Sequence, residues 1–231
     1  MTVSAEPVLF CWSGGKDSAL ALHALRQQAG VRVTGLLTTV TDEYDRISMH
    51  GVRRTLLVKQ AEAIGLSLQE VRIPPQCVNP IYESRMEQAL RAQLAAGVRT
   101  VAFGDIFLQD LREYRERNLA RLQMQAIFPI WKRDTRELAR NFCDLGFRAI
   151  AVCIDPRKLD RSFVGRELTS QFFVDLPESV DPCGENGEFH TFCSAGPMFE
   201  RPIGLRSGTI VERDGFVFAD FELVEEAAAC A

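Results

Sequence analysis

The apolar run VLFCW (residues 8–12) breaks at Ser13-Gly14-Gly15, and Lys16, Asp17 and Ser18 follow at once. A helix-like pattern then continues to Ala29 and is closed by Gly30. That succession reads as a buried strand, a tight turn and a helix. Adjacent glycines allow positive φ and let the backbone come close to a ligand. The turn thereby fixes both the start of the fold and the place where something can bind.

The alternation repeats down the first half of the chain. VRVTGLLTTV (31–40) reads as a second strand, and VRRTLLVKQAEAI (52–64) as a second helix ended by Gly65. LQEVRI (68–73) is a third strand, stopped by Pro74 and Pro75. Asn79 reads as an N-cap with Pro80 at the first helical position. Tyr82, Met86, Leu90 and Leu94 step by four along that helix, and Gly97 closes it. TVAF (100–103) is a fourth strand that runs into Gly104-Asp105. Strand and helix in this order predict an α/β fold, a parallel sheet with helices on both faces. Such sheets bind ligands beyond the carboxyl ends of their strands, where both Ser13-Gly14-Gly15 and Gly104-Asp105 fall.

The rhythm loosens after about residue 125, where FPIW (128–131) interrupts it. Helices are predicted at 134–145 and 164–173, and AIAVCI (149–154) reads as a buried strand. GTIVERDGFVFADFEL (208–223) reads as a hairpin turning at Asp214-Gly215. The expected division is a nucleotide-binding domain over 1–127 and a smaller α+β substrate domain over 128–231.

Physical chemistry narrows the role of the glycine turn. A Walker loop needs four residues between its glycines, and here they are adjacent. A short nest of amides at a helix N-terminus remains, suited to an anion. Ser13 and Ser18 add hydroxyls and Lys16 adds charge, while Asp17 suits the positive end of the helix dipole and can hold Mg²⁺. The competing reading is an ordinary strand-to-helix turn. The full string SGGKDS resembles the signature SGGxDS of the PP-loop ATP pyrophosphatase superfamily. That resemblance implies a fold of the adenine nucleotide alpha hydrolase (HUP) kind. It also implies cleavage of ATP between its α- and β-phosphates, with residues 13–18 on the pyrophosphate portion.

DPCGENGEFHTF (181–192) is the densest polar cluster in the chain. Glu185, Glu188 and His190 lie within it, with Thr191 beside them and Gly184 and Gly187 bending the backbone. These groups suit a metal, an amine-bearing substrate, or the proton transfer that turns ammonium into ammonia. A purely structural hydrogen-bonded loop is the competing reading. His23, inside the first helix, reads as structural. CGENGEFHT after SGGKDS resembles the diphthine–ammonia ligase family. HGV (50–52), QAEAIGL (60–66), FGDI (103–106), FPIW, GFRAIAV (146–152) and GREL (165–168) extend the resemblance over most of residues 8 to 200, in the style of the short bacterial and archaeal members.

The resemblance implies an ATP-dependent carbon–nitrogen ligase that adenylates a carboxylate and lets ammonia displace AMP. ATP would lie on Ser13, Gly14, Gly15, Lys16, Asp17 and Ser18, with adenine near Leu37 and Thr38 and with Gly104 on the same rim. Mg²⁺ would be held by Asp17 and Asp105. Lys16 and Asp105 would serve the chemistry, and Glu185, Glu188 and His190 would face the acceptor and the ammonia, the choice of base among them staying open.

Composition limits the remaining possibilities. A net charge of −4 argues against a broad nucleic-acid footprint. The longest central apolar run, AIAVCI, is too short to span a membrane, and the N-terminus lacks a signal-peptide pattern, so a cytoplasmic protein is expected. The seven cysteines include no C-x-x-C pair, which suits free thiols in a reducing compartment. A tRNA-thiolating enzyme using Cys183, and a nucleotide sensor without chemistry, are the rival functions. DLREYRERNLAR (110–121) reads either as a solvated, ion-paired helix or as a docking surface for an acidic partner. A homodimer is compatible with the chain, though no particular residue calls for one.

Overall fold

In the computed structural model residues 5–48 and 51–224 are described, so His50 and Cys230 lie outside the described part. The first half forms β1 (Glu6–Cys11), α1 (Lys16–Arg26), β2 (Val31–Thr41), β3 (Arg46–Ile47), α2 (Arg54–Ile64), β4 (Leu68–Ile73), α3 (Asn79–Ala95), β5 (Thr100–Ala102), α4 (Gln109–Ala120) and β6 (Gln125–Ile127). β1, β2, β4, β5 and β6 are parallel, in the spatial order β4-β2-β1-β5-β6. The short β3 pairs antiparallel with Val40 and Thr41 at the end of β2. The chain builds outward from β1 in one direction, then crosses back to add β5 on its other side. That reversal makes the carboxyl ends of β1 and β5 a topological switch point, the place where open α/β sheets hold ligands.

Side-chain alternation along the strands explains why both faces are covered. Val8 and Phe10 of β1 join Leu36 and Val40 of β2 on one face, packed with Leu20 and Leu22 of α1 and with Leu56, Leu57 and Ile64 of α2. Leu9 and Leu37 point the other way, with Leu90 of α3 and Leu119 of α4. Strands buried on both faces are continuously apolar, as VLFCW is.

The second half forms α5 (Thr135–Asp144), β7 (Arg148–Ile154), α6 (Ser170–Asp175), β8 (Phe189–Ala195), β9 (Leu205–Arg213) and β10 (Phe216–Leu223). Its strands make an antiparallel sheet in the order β8-β7-β10-β9. The hairpin turns at Asp214-Gly215, both with positive φ, the turn chemistry that two-residue hairpins require. The buried apolar cluster of the first sheet's α1/α2 face continues without a break into this half, through Phe142, Ile154, Phe172, Phe192 and Val217.

Two local expectations are corrected. Asn79 is the first helical residue of α3, not its cap, and Val78 occupies the cap position. The helix predicted over 164–173 is confined to Ser170–Asp175, capped by the Thr169 hydroxyl, which accepts from the Phe172 amide at 3.3 Å. Residues 165–168 instead run along β7: the amides of Gly165 and Leu168 donate to the carbonyls of Ala151 and Ala149, and that of Ala151 to Arg166, all at 2.8–2.9 Å. An open flank of β7 offers that segment backbone partners, and tertiary pairing overrides its helical pattern.

Candidate active site at the switch point

A cavity of about 730 Å³ opens at the carboxyl edge of the parallel sheet. Its floor is the turn after β1, its sides are the ends of β2 and β5, and the loop 183–191 leads across it into β8. Ser13, Gly15, Lys16, Asp17 and Ser18 line it from the first motif, and Leu37, Thr38, Gly104 and Asp105 from the strand ends. Glu185 and His190 line it from the second motif. Residues separated by up to some 175 positions thus meet: the Lys16 amide donates to Thr191 Oγ1 at 2.9 Å.

The loop is held in shape by its own hydroxyls. Ser13 Oγ and Ser18 Oγ lie 2.7 Å apart, Ser18 Oγ accepts from the Ser13 amide at 3.2 Å, and Ser13 Oγ from the Gly15 amide at 3.3 Å. Gly14 does not face the cavity. Its φ is +81°, and a Cβ there would stand 2.8 Å from Gln60 Oε1. The Gly14 carbonyl accepts from Gln60 Nε2 at 2.9 Å and from the Cys193 amide at 2.8 Å. Gln60, fully buried on α2, also donates to the Cys193 carbonyl at 2.6 Å and accepts from Trp12 Nε1 at 3.0 Å. One amide side chain therefore ties together β1, the glycine turn and β8. Sequence reasoning missed Gln60, although a polar residue between Leu57 and Ala61 on a buried stripe is the signal for it.

Lys16 is 1% exposed, an uncommon state for a lysine. Its ammonium donates to both Asp17 oxygens at 2.8 Å and to the Cys183 carbonyl, and it lies 5.4 Å from the centre of the Phe189 ring. Burial works against its charge, but Asp17 and its other neighbours outweigh burial and hold its pKa above the ordinary value. A fixed cation thus stands beside the nest of amides at the start of α1. Gly104 matters for its lack of a side chain, since a Cβ there would sit 3.1 Å from the Ser18 backbone.

Glu185 reaches across the cavity and accepts from the Ile106 amide at 2.8 Å and the Phe107 amide at 3.4 Å. Burial raises its pKa to about 7 against the pull of those two amides. His190 is driven to about 4, by burial first and by Lys16 second. Glu188 departs from expectation. It does not line the cavity, it is 3% exposed, and its Oε1 accepts from the Asp181 amide and Asn186 Nδ2, both at 3.2 Å. It braces the 181–188 loop from within.

Asp105 is paired with Arg115, whose Nε lies 2.7 Å from Oδ2 and whose Nη2 donates to Oδ1 at 3.1 Å. Arg115 also stacks over Phe103, 4.4 Å from the ring centre. The sequence reading placed it among the charges of a solvated, ion-paired helix, although Leu111, Arg115 and Leu119 recur at a spacing of four and mark it as an inward-facing position. The rest of α4 behaves as an ion-paired helix, with Arg112–Glu116 at 2.7 Å and Arg117–Glu113 at 3.8 Å. Among the described residues no cluster of three or more His, Cys, Asp or Glu side chains forms a metal cage. Cys183 is 2% exposed, its thiol faces the Thr135 carbonyl at 3.6 Å, and burial pushes its pKa far above the ordinary thiol value. A thiol held neutral and buried is a poor sulfur carrier, which weighs against the thiolation reading.

A parallel sheet with its cavity at the switch point, and a glycine bend delivering a buried lysine into it, form the α/β architecture that the resemblance of SGGKDS to the PP-loop signature implies. Comparison with known proteins narrows this. Residues 7–126 match the diphthamide synthase N-terminal domain and residues 134–222 the diphthamide synthase C-terminal domain. Diphthine–ammonia ligase from Mus musculus is 26% identical over 230 residues, covering 90% of this chain and 85% of that protein. The Danio rerio protein of the same name is 28% identical over 231 residues, covering 87% of this chain and 88% of its own length. The one from Schizosaccharomyces pombe is 25% identical over 225 residues, 89% of this chain but 37% of that protein. The U34-tRNA thiolase NcsA from Methanococcus maripaludis, solved with its 4Fe–4S cluster, superposes with a TM-score of 0.37 at 18% identity, over 59% of this chain and 57% of that one. That likeness is too slight to bear on function. The chain belongs to the diphthamide synthase family, and its enzyme class is that of an ATP-dependent carbon–nitrogen ligase.

Proposed function

We propose that the enzyme activates a carboxylate by adenylation and passes ammonia to it, with the diphthine carboxylate of its relatives' name as the first acceptor to test. One observation carries this reading: the glycine turn with its buried lysine and the Glu185 carboxylate line a single cavity from opposite motifs.

The carboxylate oxygen attacks the α-phosphorus of ATP, an acyl-adenylate forms and pyrophosphate leaves. Negative charge grows on the departing diphosphate, where the Gly15–Ser18 amides, the α1 dipole and the Lys16 ammonium lie. Ser13 and Ser18 exchange their mutual hydrogen bond for the phosphate oxygens. Adenine rests against the ends of β2 and β5, near Leu37, Thr38 and Gly104. Ammonia then attacks the acyl carbon, the bond to AMP breaks and one proton is released. Glu185 is the group suited to take that proton, because its pKa of about 7 keeps it half ionised at neutral pH. His190, uncharged under those conditions, acts as a hydrogen-bonding wall. Asp105 positions Arg115 on the rim.

A magnesium ion bound with ATP usually takes one or two carboxylates, with phosphate oxygens and water completing its shell. Both candidate carboxylates are engaged in the structure, Asp17 by the Lys16 ammonium and Asp105 by Arg115; Asp17, whose side chain is 25% exposed at the cavity, would exchange part of that contact to hold the ion. Bound there, the ion would neutralise charge on the leaving diphosphate.

The direct test incubates the enzyme with ATP, ammonium chloride and diphthine-bearing elongation factor 2. The expected products are AMP, pyrophosphate and a protein whose mass change matches replacement of the carboxyl hydroxyl by an amino group. Formation of ADP and phosphate would contradict the mechanism. Turnover of other carboxylates but not of diphthine would move the acceptor while keeping the chemistry.

A further inference from the structure

Part of the cavity wall comes from neither motif. Ile47 and Ser48 line it, and Ile47 Cδ1 lies 3.5 Å from where a Cβ on Gly14 would stand. The strand that carries Ile47, β3, is two residues long, and so short a pairing has little stability of its own. Among the described residues, besides its pairing with Val40 and Thr41 of β2, the Ile47 amide donates to Val52 at 2.8 Å, the Ser48 amide to Thr39 at 3.1 Å and the Gly51 amide to the Ile47 carbonyl at 3.1 Å.

Side-chain contacts from near the other end of the chain also reach this wall. Asp220 on β10 accepts from Arg46 Nη1 at 2.8 Å, from Arg53 Nε at 3.0 Å and from Arg53 Nη2 at 2.5 Å. The Arg46 guanidinium also donates to the Gly51 carbonyl at 2.6 Å, so one side chain ties both flanks of the segment to β10. Gly51 packs so closely on Phe218 that a Cβ would stand 2.8 Å from the ring. Arg213 lies over the rings of Tyr44 and Phe218, at 4.9 and 5.2 Å. Burial opposes the charge of Asp220, but Arg53 and Arg46 overcome it and bring its pKa down to about 2. The carboxylate is therefore ionised, 12% exposed and shared by two cations of a single segment.

We propose that Asp220 is a positioning residue for the nucleotide: through Arg46 and Arg53 it holds Ile47 and Ser48 against the glycine turn, so that the affinity for ATP depends on a carboxylate of the second sheet. The inference rests on the nucleotide reading given above. It differs from a purely structural role in requiring the effect to reach the ligand.

The test uses the full chain with Asp220→Asn, which removes the charge and keeps the shape. Amide exchange at Ile47 and Ser48 should quicken while Phe10 in β1 is unchanged. The Kd for a non-hydrolysable ATP analogue should weaken about tenfold, a common size for coupling between sites, with kcat at saturating ATP nearly unchanged. Arg161→Ala, which removes the exposed partner of Glu212 on the same hairpin, should leave both readouts alone. Arg46→Met provides a second variant with the same expected direction should Asp220→Asn fold poorly. Wild-type affinity in a folded Asp220→Asn or Arg46→Met protein overturns the inference, even where exchange quickens. A wild-type enzyme that binds no analogue overturns the nucleotide reading itself, and the exchange data, which need no nucleotide, tell the two failures apart.

Discussion

The proposed chemistry leans most on one side chain, Glu185. It is a half-buried carboxylate with a pKa of about 7, braced by the amides of Ile106 and Phe107, so it is in place before any substrate arrives. If it takes the proton from the incoming amine, kcat/KM should rise with pH through an acid limb near 7. Glu185→Gln should remove that limb and lower the plateau by about 10²-fold or more, the usual worth of a general base. Its effect on stability has the opposite sign. The folded state holds this proton more tightly than the unfolded chain, so the stabilisation is complete below the ordinary value of 4.5 and is lost as pH rises through 7. His190 works the other way: the unfolded chain takes up its proton at about 6.5 and the folded state only at about 4, so stability falls as pH drops across that interval. Between 4.5 and 6.5 the two effects oppose each other, and Glu185→Gln should therefore make unfolding more acid-sensitive there, as read by melting temperature against pH. The sequence displayed Glu185 and Glu188 alike. Two glycines with positive φ, Gly184 and Gly187, reverse the chain between and beside them, so no periodicity tells which carboxylate turns outward.

At the scale of elements, the parallel sheet and its helices were legible because each had a local cause. VLFCW is apolar throughout since both faces are covered, and prolines and glycines punctuate the ends. Residues 165–168 were illegible because their partner, β7, is a tertiary one. Within the second sheet only the β9–β10 hairpin was legible, from its Asp214-Gly215 turn; the order of β8 and β7 beside it was hidden, since strands joined by long connections leave no pattern of their own. α2 shows how an element serves the site at a distance: Gln60 carries three hydrogen bonds in a fully buried place. Gln60→Leu would keep the volume and strand the Trp12 N–H and the Cys193 carbonyl. A loss of about 3 kcal/mol is expected, from about 1–3 kcal/mol per buried group left without a partner. Denaturant unfolding measures it, and a loss below about 0.5 kcal/mol would show that the clamp is dispensable.

For the whole molecule, the sequence suggested two units divided near 127–128. We keep that division as a proposal about function, nucleotide on one side and acceptor on the other. The apolar core does not respect it, because buried side chains run from Phe10 through Phe142 to Phe192 and Val217. The site has the same character, since Lys16 draws partners from α1, from the loop before β8 and from β8 itself. Heat or denaturant should therefore unfold the chain in one cooperative transition, with tryptophan fluorescence and far-ultraviolet circular dichroism coinciding. Two separated transitions would show that the halves are energetically independent. The central claim is that the turn at Ser13–Ser18 is the seat of the ATP phosphates. A crystal structure with an ATP analogue that resists cleavage between its α- and β-phosphates tests it most directly. The account predicts the β- and γ-phosphates within hydrogen-bonding distance of the Gly15–Ser18 amides and the Lys16 ammonium, whereas a triphosphate seated away from that turn would contradict it.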